Sequence, residues 1–110
     1  MDTLSPTIAE YFRASGARDY NSLTTLFSND ASVEDEGRTH TGIDAIRKWA
    51  ENTQAEYSFV LEPLSSREEE GTTVVTCRVS GNFPGSPVDL RFTFTLKGDT
   101  IVSLTIRDQQ

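Results

Sequence analysis

The spacing of apolar positions changes near the middle of the chain. Before Tyr57 apolar residues recur every three or four positions, and after it they alternate. Ser5 can cap a first helix and Pro6 suits its first position. Ile8, Tyr11, Phe12 and Ser15 then share a face, and Gly16 ends the element. A second helix starts at Asp19 or Asn21, with Tyr20, Leu23, Leu26 and Phe27 as its stripe and Asp30 as a closing turn residue. Ala31, Val33 and Asp35 share one side of a short strand. Arg38 to His40 can pair with that strand across a Glu36-Gly37 turn. Thr41 caps a third helix with Asp44 three residues on, and Ile43, Ile46, Trp49 and Ala50 form its buried stripe.

Four strands follow: "YSFVLEPLSS", "TTVVTCRVSGNF", "VDLRFTFTLK" and "TIVSLTIRD". Turn chemistry in "REEEG", "PGSP" and "GD" separates them. Leu90, Phe92, Phe94 and Leu96 point one way, with Val102, Leu104 and Ile106. Arg91, Thr93, Thr95, Ser103, Thr105 and Arg107 point the other. Val75, Cys77 and Val79 likewise oppose Thr76, Arg78 and Ser80. One sheet face is greasy, and the other is lined with threonine and arginine. Helices followed by antiparallel strands predict an α+β domain with helices on one sheet face. The threonine-rich face suits a twin sheet, so a homodimer is expected through it.

Composition narrows the function classes. The chain has 110 residues, enough for one domain over 1–110. Its net charge of −7 makes nucleic acid and anionic membrane poor partners. No apolar run is long enough for a membrane helix, and no signal peptide is visible, so a cytoplasmic protein is expected. The single cysteine, Cys77, reads as a small buried hydrophobe. With one histidine, His40, no histidine-pair or histidine–cysteine metal cluster can form, and no cofactor is expected.

"LFSNDASVED", "GIDAIRKW" and "FTLKGDTIVSLTIRD" together resemble the nuclear transport factor 2 superfamily. The match is closest to its SnoaL-like polyketide cyclases and steroid Δ5-isomerases. The resemblance covers nearly the whole chain. It implies a cone in which three N-terminal helices pack on a curved, mainly antiparallel sheet enclosing a pocket. It specifies the fold better than the reaction, because such folds host isomerases, cyclases, dehydratases, hydrolases and binding modules.

The isomerases carry an aspartate base in a "VED" context, which Asp35 matches, and a tyrosine in the first helix that donates to an oxyanion, which Tyr11 matches. Their third group is a protonated aspartic acid on the penultimate strand, which donates a hydrogen bond where negative charge develops. Phe92 occupies that position here and cannot donate. Asp89 should point to the opposite face. Glu34 and Glu36 should take the water side of their strand. Trp49, Tyr57, Phe59, Phe83, Phe92 and Phe94 read mainly as core, and in such a cone some of them also form the pocket wall, with Trp49, Tyr57, Phe59, Phe92 and Phe94 as the candidates. His40 reads either as an acid or base at the pocket mouth or as a surface strand-end residue.

Three functions follow as alternatives. Asp35 and Tyr11 can perform cofactor-free proton transfer on a small hydrophobic carbonyl substrate, as an isomerase, cyclase or dehydratase would. The pocket can hold a small hydrophobic ligand without chemistry, a reading that Phe92 favours. Or the sheet face can serve assembly.

Overall fold

The computed structural model describes residues 4–56 and 58–108. Nine elements follow in order. They are α1 (Pro6–Ala17), α2 (Tyr20–Thr25), β1 (Phe27–Asp35), β2 (Arg38–Thr41), α3 (Ile43–Glu56), β3 (Phe59–Glu69), β4 (Thr72–Gly81), β5 (Val88–Lys97) and β6 (Thr100–Asp108). The strands form one open sheet in the order β2-β1-β6-β5-β4-β3. All neighbours are antiparallel except β1 and β6, which run parallel. The α+β class, the three helices and the mainly antiparallel sheet are as the sequence pattern predicts.

The core lies between the helices and the apolar sheet face. Ile8 of α1, Leu23 of α2, Ile46 of α3, Val33 of β1, Val75 of β4, Phe94 of β5 and Leu104 of β6 are all buried there. Phe94 and Ile8 lose all their exposure, each burial being worth about 1.5–3 kcal/mol before entropy is counted. No helix among the described residues is long and apolar enough to cross a membrane.

Several boundaries differ from the sequence expectation. α1 runs through Gly16 to Ala17. Arg18 closes it in the left-handed conformation at φ 57°, its N–H reaching the Ala14 and Ser15 carbonyls. α2 ends at Thr25, so Phe27 leaves the helical stripe and joins β1. Pairing captures the chain there, because the Ile101 N–H donates to the Leu26 carbonyl at 2.8 Å. Asp30 is therefore an exposed strand residue and not a helix-closing turn.

Thr41 pairs with Ser32 as the end of β2 instead of capping α3. The turn into α3 falls on Gly42, at φ 92°, where a side chain would be strained. The Gly42 carbonyl accepts from the Ile46 N–H, and Asp44 sits in the first turn of α3. In β6 the register slips between Thr95 and Leu96, so Leu96 pairs with Ile101. That bulge gives the fully buried position to Ile101 and leaves Val102 half-buried, against strict alternation.

Candidate functional site

β1 delivers Asp35 to the end of the apolar sheet face, two residues beyond the fully buried Val33. Glu36 and Gly37 turn the chain immediately afterwards, both at positive φ (55° and 76°), as a tight hairpin requires. Asp35 is half-buried. The Trp49 indole N–H of α3 donates to its Oδ2 at 3.0 Å. Burial pushes the Asp35 carboxyl above the usual range. The Trp49 hydrogen bond, the nearby His40 and the Glu36 backbone N–H oppose that rise without cancelling it.

α1 places Tyr11 against the same region. Its ring makes edge contacts with Phe12 at 5.2 Å, Phe94 at 5.3 Å, Phe27 at 6.2 Å and Phe92 at 6.3 Å. The residue is only 2% exposed. Among the described residues its hydroxyl has no hydrogen-bond partner, yet no buried polar atom is sealed off unsatisfied. The hydroxyl therefore opens onto the cavity that Tyr11 lines. Burial raises its pKa strongly, and the charge of Asp35 raises it further.

A cavity of about 850 Å³ joins these groups. That is within the range of small-molecule sites. Asp35, Tyr11, Trp49, Phe59 and Phe92 all line it. Phe94 does not: it is fully buried in the core behind Tyr11. His40 does not either. It pairs with Val33 on β2, and its ring lies 6.2 Å from that of Trp49, outside the wall. Tyr57 lies outside the described residues. Phe83 is on the wall. Asp89 faces away and is ion-paired to Arg78 at 2.9 Å. Phe92 offers no donor where it meets the cavity.

Thr53 and Gln54 also line the cavity. Gln54 is buried, accepts from the Tyr20 hydroxyl at 2.6 Å and donates to the Ser15 carbonyl at 2.7 Å. It thereby ties α1, α2 and α3 together beside the cavity. Its signal was present: Thr53 and Gln54 continue the helical spacing of Ile46, Trp49 and Ala50. Glu34 and Glu36 border the cavity and keep contact with water, with Glu34 bound to Arg107 at 2.9 Å. Among the described residues no group of three histidine, cysteine or acidic side chains could hold a metal.

Known proteins supply a family. The model of the SnoaL-like domain matches residues 8–104. A protein from Sinorhizobium meliloti, proposed to be a polyketide cyclase, is 40% identical with a TM-score of 0.91. That match covers 94% of this chain and 95% of that one. A Catenulispora acidiphila protein with a ketosteroid isomerase-like fold, solved with trimethylamine, is 22% identical, with TM-score 0.84 and coverage of 94% and 85%. The epoxide hydrolase/cyclase-like enzyme SalBIII, which functions in pyran ring formation in salinomycin, is 19% identical, with TM-score 0.80 and coverage of 94% and 88%. These last two likenesses speak to the fold. No curated protein sequence matches the chain.

Proposed function

The chain belongs to the SnoaL-like domain family, and from that premise we propose that it is a cofactor-free proton-transfer enzyme for a small hydrophobic carbonyl compound. The observation that carries this reading is a half-buried carboxylate and a phenol without a hydrogen-bond partner among the described residues, both on one largely apolar cavity. Asp35 is the base. A raised carboxyl pKa brings a base closer to working pH and strengthens its pull on a proton. It takes the proton from the carbon beside the carbonyl. The C–H electron pair moves into the enolate and charge collects on oxygen, where the Tyr11 hydroxyl donates. Returning the proton to another carbon isomerises the substrate. Attack of the enolate carbon on a second carbonyl closes a ring.

Phe92 sets the demand on the substrate. A missing oxyanion donor costs roughly 10²–10³ in rate. A carbon acid activated by two carbonyls needs less help, so such compounds fit this site better than simple ketones do. A turnover screen of ketones, 1,3-dicarbonyls and epoxides with wild type and Asp35→Asn tests the assignment. Unchanged turnover in the variant removes Asp35 from the mechanism.

A second reading, a binding module, rests on Phe92 alone. It requires apolar ligands that stabilise the protein in a thermal-shift screen and are recovered unmodified. With either reading we place a homodimer through the threonine–arginine sheet face. Arg91 and Arg107 stand directly opposite each other there, and Arg91 has no ion-pair partner among the described residues. A monomer by light scattering at working concentration would rule that assembly out.

A further inference from the structure

The charges around the cavity are unbalanced. Four acidic residues border it, Glu34, Asp35, Glu36 and Asp108, and of these Asp35 is the one on the same side of β1 as the buried Val33. Arg107 is the one cation among the described lining residues, and it is already bound to Glu34. Asp35 has no lysine or arginine partner among the described residues, although water is partly excluded from it. A poorly hydrated carboxylate without an ion-pair partner is costly to a fold and attracts a cation, and the nearby His40 offsets that cost only in part. The Tyr11 hydroxyl, in a residue 2% exposed, is also unpartnered and opens onto the same space. Its oxygen can turn a lone pair toward a cation. The rings of Tyr11, Trp49, Phe59, Phe83 and Phe92 supply the walls. Aromatic faces attract an organic cation while solvating its alkyl groups.

We propose that the cavity binds a hydrophobic organic ammonium ion, with the Asp35 carboxylate as its counter-ion and the aromatic walls around its alkyl groups. This goes beyond the carbonyl chemistry above. The net charge of −7 adds a long-range pull on the same ligand and disfavours carboxylates and phosphates.

Three probes of similar shape separate charge from size: benzyltrimethylammonium, its uncharged isostere neopentylbenzene, and 3-phenylpropanoate. Binding is read by fluorescence of Trp49, the only tryptophan in the chain. The cation should bind at least tenfold more tightly than the uncharged isostere, a fold-change that a desolvated cation–aromatic contact plus a counter-ion supplies. The anion should bind more weakly than both. Asp35→Asn should bring cation and isostere within threefold of each other. A wild-type preference below tenfold overturns the proposal, as does a preference that survives in Asp35→Asn. If the variant does not fold, the wild-type comparison decides. The preference without any ketone turnover leaves this inference standing and the proton-transfer reading failed; turnover without the preference does the reverse.

Discussion

Replacing Gln54 with leucine should destabilise the protein by about 2–3 kcal/mol. The side chain is 6% exposed, and its amide makes three contacts: Tyr20 hydroxyl at 2.6 Å, Ser15 carbonyl at 2.7 Å and Ser15 hydroxyl at 3.2 Å. A net value of about 1 kcal/mol for each of the two shorter bonds accounts for most of the loss. The stranded partners add less than a full desolvation penalty. The Ser15 carbonyl still accepts from the Arg18 N–H, and the Tyr20 hydroxyl is on a half-buried residue. Leucine returns some apolar burial. At about 2.1 cal/mol/K of unfolding entropy per residue, the melting temperature should fall by roughly 10 °C. Urea unfolding measures the loss directly. Tyr20→Phe removes one of the three contacts and should cost about 1 kcal/mol. In the Gln54→Leu background it should cost almost nothing, since its partner is gone. A loss below 1 kcal/mol for Gln54→Leu, or full additivity of the pair, would refute the claim that this amide ties the helices together.

Tyr11→Phe removes a hydroxyl without a partner among the described residues, so stability should change by less than about 1 kcal/mol while turnover falls roughly 10²-fold; urea unfolding and kinetics on one preparation read both. Trp49→Phe removes a donor that favours the ionised Asp35, so the Asp35 pKa should rise further, which an NMR titration of its carboxyl carbon measures. The sign for stability follows. Asp35's contribution is fully present below its unfolded value and is lost as pH rises through its raised folded value, so Trp49→Phe should be more destabilised at pH 7 than at pH 3. The Cys77 thiol is buried and pushed up to about 12, so native protein at pH 8 should resist a thiol reagent that labels it once unfolded. Rapid labelling of native protein would contradict that burial.

Legibility followed the physics of each element. The last strands were readable because one face is buried, and burial enforces alternation at Phe92, Phe94, Leu104 and Ile106. The bulge that substitutes Ile101 for Val102 was not, because it arises from how β6 meets β5 and not from its own composition. Phe27 and Thr41 lie at element ends, where pairing with β6 and β1 outweighs local helix signals. Asp35 and Tyr11 came from period and resemblance, and both face the cavity. The sequence could not separate wall from core among the aromatics. Phe92 and Phe94 share a strand face, yet only Phe92 reaches the cavity. The Trp49–Asp35 bond joins residues on different elements 14 positions apart, and no local pattern marks it.

The central claim is that Asp35 removes a proton from carbon inside this cavity. Exchange of the α-protons of a hydrophobic 1,3-diketone in D₂O, followed by proton NMR, tests it without knowing the natural substrate. Wild type should accelerate exchange, and Asp35→Asn should lose roughly 10²–10⁴-fold of that acceleration. Wild type that leaves the exchange rate at its uncatalysed value, or Asp35→Asn that exchanges as fast as wild type, would contradict the account.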